Sequence, residues 1–120
     1  MKNDNVILDK SFKFSLRIIE LYKKLKDNKE FIISKQLLRS GTSIGANVYE
    51  SIAAQTRKDF ITKISIASKE ARESMYWLKL LHESKLVDID YEPYNKDIEE
   101  IIKILTSIVK TAQEKLIHNS

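Results

Sequence analysis

The chain offers almost nothing with which to turn. Its 120 residues include two glycines and one proline, where average usage predicts roughly 14. Sandwiches, barrels and βαβ folds spend such residues at nearly every connection. A chain without them must be built from few, long elements, so it is expected to be all-α. Glycine-rich phosphate loops are excluded by the same count. Both glycines, Gly41 and Gly45, lie within five residues of each other.

Hydrophobic periodicity gives four helices, at about 11–26, 30–54, 57–83 and 93–117. On the first, Phe12, Leu16, Ile19, Tyr22 and Leu25 read as the core stripe, widened by Phe14, Ile18 and Leu21. Asn28 is placed to cap the second helix. The second stripe is Ile33, Leu37, Ile44, Val48 and Ile52. The third helix opens on Thr56-Arg57-Lys58-Asp59, a capping-box variant. It carries Phe60, Ile64, Ala67, Ala71, Met75 or Ser74, Leu78 and Leu81 inward. Pro93 opens the fourth, where its missing N–H costs nothing. Ile98, Ile101 or Ile102, Leu105, Ile108 or Val109, Ala112 and Leu116 form its stripe. Short connections between long helices predict one domain over 1–120, an antiparallel up-down four-helix bundle. Ile32, Leu38, Ile66, Tyr76, Trp77, Leu80 and Ile104 fall off these stripes. That many unassigned apolar residues predict a second buried surface, so a homo-oligomer is expected.

Catalytic and metal chemistry finds little support. With no cysteine there is no disulfide, thiolate metal site or thiol nucleophile. That absence fits a reducing cytoplasm. A di-metal carboxylate bundle needs paired Glu-x-x-His segments. His82 has Lys79 three residues before it, and His118 follows Glu114 by four. No cofactor, small-molecule substrate or enzyme activity is expected. No apolar run is long enough to span a membrane, and Met1–Asn5 does not read as a secretory leader.

The polar residues of the middle helices carry more pattern. Arg39, Ser43, Asn47 and Glu50 recur every three or four positions, as do Lys69, Glu70, Glu73 and Trp77. An antiparallel hairpin turning near Gln55-Thr56 sets Arg39 against Glu73, Ser43 against Lys69 and Asn47 against Ser65. These residues read as an interhelical polar network that fixes register, with Arg39–Glu73 the strongest pair. A ligand pocket or a surface for a partner remains open for them. Gly41 and Gly45 each cost a helix interior about 1 kcal/mol against Ala. Close approach of a neighbouring helix is the expected compensation, with a kink or functional break as the alternative. Arg39, Asn47 and Glu50 exclude the membrane version of Gly-x-x-x-Gly.

Charge is uneven. Residues 1–63 carry 13 Lys and Arg against 7 Asp and Glu, whereas 64–120 carry 8 against 10. Lys13, Arg17, Lys23, Lys24, Lys26, Lys29 and Lys35 are candidate nucleic-acid contacts. Favourable placement of cations at a solvated helix end is the alternative. No aromatic platform is interleaved with them, so reading of single-stranded sequence is not supported.

The run Gln36-Leu37-Leu38-Arg39-Ser40-Gly41-Thr42-Ser43-Ile44-Gly45-Ala46-Asn47-Val48-Tyr49-Glu50 resembles the signature of the bacterial four-helix-bundle family of 23S rRNA-intervening-sequence proteins. Asp59-Phe60, Ile66–Ala71, Glu73, Tyr76-Trp77-Leu78 and Ile104–Ile108 extend the resemblance over about residues 8–112. It implies a four-helix bundle that assembles as a homopentamer, with RNA or DNA as a possible partner and no family catalytic residues to carry over. Five copies would together carry roughly +20, enough to attract a polyanion. The competing expectation is a protein–protein adaptor or purely structural oligomer without a nucleic-acid role.

Overall fold

A computed structural model describes residues 2–118. Met1, Asn119 and Ser120 of the expected 1–120 domain lie outside the described residues. Four helices follow in order: α1 (Lys2–Asp27), α2 (Ile33–Ser51), α3 (Arg57–Ser84) and α4 (Glu92–His118). Each packs on the next, and α1 closes against α4, with no close backbone approach across either diagonal among the described residues. The result is an all-α four-helix bundle measuring 52 × 22 × 22 Å.

The helix ends are made largely without the two glycines. After α1, Lys29 takes the left-handed conformation at φ 63°. Its N–H donates to Lys26 O (2.8 Å) and the Glu30 N–H to Leu25 O (2.9 Å). That is the Schellman pattern, with lysine where glycine is commoner. Lys85 is also left-handed after α3, at φ 54°, where the Leu86 N–H donates to Ser84 Oγ at 3.3 Å. At the start of α3, Thr56 Oγ1 accepts from the Asp59 N–H at 3.0 Å, as the capping variant predicts.

Three boundaries differ from the sequence reading for identifiable reasons. Asn28 does not cap α2; its Nδ2 donates back to Lys24 O at 2.8 Å. Glu30 is the cap instead. Its carboxylate accepts from the N–H groups of Ile32 (3.2 Å), Ile33 (3.0 Å) and Ser34 (2.6 Å), so α2 starts three residues later than expected. At its far end, Ala53 and Ala54 donate to Glu50 O and Ser51 O. These bonds span three residues and tighten the last turn, which leaves Ile52 exposed rather than in the core. α1 begins earlier than expected because Ile7 is fully buried and anchors an additional N-terminal stretch.

The core stripe of α1 also needs correction. Ile7, Phe14, Ile18, Leu21 and Leu25 are the buried set. Phe12, Leu16 and Ile19, expected inside, face outward, and Tyr22 is half-buried. The residues read as the flank are the core, because the close face of α2 contacts them.

Candidate interaction surfaces

The glycines set the spacing of α1 and α2. A Cβ on Gly41 would lie 2.9 Å from Ile18 Cγ2, and one on Gly45 would lie 3.2 Å from both Ser11 O and Ser15 Oγ. At 2.9 Å the Ile18 side chain would have to move, and at 3.2 Å the Ser11 backbone or the Ser15 hydroxyl would have to give by a few tenths of an ångström. Both glycines keep negative φ, so the reason for them is close approach and not an unusual backbone conformation.

Along the α2–α3 seam, Arg39 Nη2 donates to Glu73 Oε2 at 2.5 Å. Trp77 Nε1 donates to the same oxygen at 3.0 Å, and Arg39 Nη1 stands 3.8 Å from Glu70 Oε2. Glu50 pairs across the seam with Lys63 at 2.7 Å. Arg39 is more than half exposed, so the pair fixes geometry more than it adds stability. Ser43 and Asn47 make no hydrogen bond to α3 among the described residues. The Ser43 hydroxyl donates to Arg39 O (2.6 Å) and the Asn47 amide to Ser43 O (2.8 Å), both within α2. Lys69 meets neither; it is exposed on the outer side of α3. The buried polar link between the two helices is one the sequence did not single out: Ser74 Oγ donates to Ser40 Oγ at 2.9 Å.

The seven candidate basic contacts do not form one free patch. Lys13 pairs with Asp9 (3.0 Å), Lys23 with Glu20 (3.4 Å) and Arg17 with Asp97 of α4 (2.5 Å). Arg17 also stacks on the Tyr94 ring, and Lys26 lies over Tyr22. Lys24, Lys29 and Lys35 make no ion pair among the described residues and cluster at the α1–α2 end of the bundle.

At that same end, burial pushes the Glu30 carboxyl up, but the backbone N–H groups of Ile33, Ser34 and Ile32 outweigh it and hold the carboxyl below its ordinary range. Burial raises the nearby Tyr91 hydroxyl, and the charges of Glu30 and Asp88 raise it further. That hydroxyl donates to Val87 O at 2.9 Å. Among the described residues no group of three or more His, Asp or Glu side chains is placed to hold a metal. No helix is long and apolar enough to cross a membrane.

An apolar groove of about 810 Å³ runs between α1 and α2. Ser15, Thr42, Gly45 and Ala46 form its floor, because small side chains leave a trough where the helices approach closely. Its walls are Phe12 (63% exposed), Leu16 (50%) and Ile19 from α1, and Tyr49 (73%) from α2. Asp9 and Glu50 stand at its rim, each already paired with a lysine, Lys13 and Lys63. Sequence reasoning missed this groove by assigning Phe12, Leu16 and Ile19 to the core. The signal that could have found it is the contact each glycine demands of α1.

These features define a four-helix bundle with an apolar groove between α1 and α2 and an ion-paired seam between α2 and α3. The sequence profile of the 23S rRNA-intervening sequence proteins matches residues 3–107, and the chain belongs to that family. It is similar to a protein of unknown function from the S23 ribosomal protein family of Bacteroides thetaiotaomicron, known from a crystal structure. The two share 54% identity over 90% of this chain and 98% of the other, with a TM-score of 0.86. No protein of curated function matches the sequence.

Proposed function

We propose that the protein is a non-enzymatic, self-associating bundle of the cytoplasm that works as a scaffold, with the α1–α2 groove as its assembly surface. The observation that carries this reading is the groove itself. Phe12, Leu16 and Tyr49 stand half or more in water along one continuous apolar surface. Burying a side chain of this kind stabilises by about 1.5–3 kcal/mol, and monomeric proteins rarely leave such surfaces open. The family resemblance makes a pentamer the expected size. Light scattering on the chromatographed protein tests the reading. A mass several times the 14.0 kDa of one chain is expected, and a monomer at tens of micromolar would contradict it.

A nucleic-acid role is the second reading. It is favoured by four lysines free of ion pairs among the described residues, Lys24, Lys26, Lys29 and Lys35, gathered at one end of the bundle. Repetition of that end in an assembly would multiply its charge. Phosphate contact predicts that log affinity falls steeply with log salt. A mobility-shift series with duplex DNA and structured RNA tests it. Absence of any complex at low salt would leave the protein–protein scaffold alone.

A further inference from the structure

The seams of the bundle differ in how they handle charge. The α1–α4 seam carries two ion pairs, Lys10–Glu100 and Arg17–Asp97. The α2–α3 seam carries Arg39 with Glu73 and Glu70, and Lys63 with Glu50. The α3–α4 seam has no ion pair among the described residues, yet it is polar. A cleft of about 290 Å³ lies along it, lined by Ser65, Ser68 and Arg72 of α3 and by Thr106, Lys110 and Gln113 of α4. Both sets are spaced by three and four residues, so each helix presents one stripe to the cleft. Val109 completes the lining, and no carboxylate belongs to it.

The charges in this cleft are of one sign and unspent. Arg72 and Lys110 come from different helices, are exposed, and make no ion pair among the described residues. Acids are not scarce nearby in sequence, since residues 64–120 carry 8 Lys and Arg against 10 Asp and Glu. They are engaged or placed elsewhere. Asp97 and Glu100 pair with α1, and Glu73 pairs with Arg39. Glu114, one turn beyond Lys110, is exposed and lies outside the lining. The cleft between α1 and α4 makes the contrast, because its cations Lys10, Lys13 and Arg17 are each paired with a carboxylate. The hydroxyls of the α3–α4 cleft are equally free. Serine and threonine inside helices can bond back to a carbonyl three or four residues earlier, and Ser11, Ser15, Ser43, Thr62 and Ser74 do so here. Ser65, Ser68 and Thr106 make no hydrogen bond among the described residues, and neither does the Gln113 amide. Two like charges brought to one cleft repel each other, and an anion between them replaces that repulsion with attraction.

We propose that the α3–α4 cleft is an oxyanion site that takes a phosphate group. The guanidinium fork of Arg72 matches two phosphate oxygens, and Lys110 adds a point charge from the facing helix. The hydroxyls and the Gln113 amide supply neutral donors around them. Donors converging from two helices suit a tetrahedral anion better than a planar carboxylate. The site is complete within one chain, and it lies apart from the lysines at the α1–α2 end.

Amide chemical shifts followed by NMR during titration with inorganic phosphate, at ionic strength held constant with chloride, test it. Saturable shifts are expected around Ser65–Arg72 and Thr106–Gln113, with half-saturation at about millimolar phosphate. Arg72→Gln and Lys110→Gln should each weaken binding about tenfold or more. Both positions are exposed, melting checks each fold, and either variant alone carries the test if the other unfolds. Lys24→Gln, outside the cleft, should bind as the wild type does. Adenosine 5′-monophosphate in a parallel titration distinguishes the source of the phosphate. Tighter saturation by the nucleotide assigns the site to an esterified phosphate, and tighter or equal saturation by the inorganic ion assigns it to free phosphate. Shifts that fail to saturate, that spread equally over the amides of Lys24, Lys29 and Lys35, or that survive both cleft substitutions overturn the site.

Discussion

Three residues at one end of the bundle show how the chain folds without turn residues. Lys29 and Lys85 hold left-handed conformations at φ 63° and 54°, which cost an L-residue roughly 1–2 kcal/mol. Glycine removes that cost but loses more freedom on folding. Lys29→Gly and Lys85→Gly should therefore each raise stability by about 0.5–1 kcal/mol, read as a higher urea midpoint at unchanged m. A lower midpoint would mean that the lysine side chains matter more than the backbone. Glu30 gives a pH signature. Its folded pKa lies below the 4.5 of a free glutamate, so its contribution is present above that value and is lost as the pH falls through the folded pKa. Glu30→Gln should cost about 1 kcal/mol at pH 7, with the gap to wild type closing in melts taken below pH 4.5. None of these ends was legible in the sequence. A left-handed lysine leaves no compositional trace, and Asn28 offered the commoner capping chemistry beside a glutamate that does the capping.

At the level of the helix, the register of α2 against α3 could be read from the sequence, and the facing of α1 could not. The antiparallel hairpin set Arg39 opposite Glu73, and the two meet at 2.5 Å. That inference needs only the turn position and the helix repeat. α1 instead carries two apolar flanks of similar strength, Phe12-Leu16-Ile19 and Phe14-Ile18-Leu21. Periodicity cannot choose between them, because both fit the same repeat. The choice is made by α2, where Gly41 admits Ile18 and no room remains for another methyl. Gly41→Ala gains about 1 kcal/mol of helix propensity but forces a buried isoleucine to move, an overpacking cost of about 1–3 kcal/mol. A net loss of about 1 kcal/mol is expected in chemical denaturation. A more stable alanine variant would show that α1 and α2 have slack between them.

For the molecule as a whole, charge and apolar surface are divided. The ion pairs Arg17–Asp97 and Lys10–Glu100 tie α1 to α4, which takes basic residues of the first half of the chain out of play as polyanion contacts. The net basic bias in the sequence was legible, but which cations stay free depends on the acidic residues that α4 brings alongside. If nucleic acid is bound, Lys24→Ala, Lys29→Ala and Lys35→Ala together should flatten the salt dependence by up to about 2–3 in log–log slope. Substituting the paired Lys13 and Lys23 should change it far less. A reversal of that order would place the contacts along the flank of α1.

Self-association through the α1–α2 groove is the claim on which the rest depends. Sedimentation velocity of wild type and Leu16→Glu side by side, from one to one hundred micromolar, tests it most directly. The wild type should sediment as an assembly of several chains, and the variant as a helical 14.0 kDa monomer. Equal sedimentation of the two, whether both assembled or both monomeric, would contradict it.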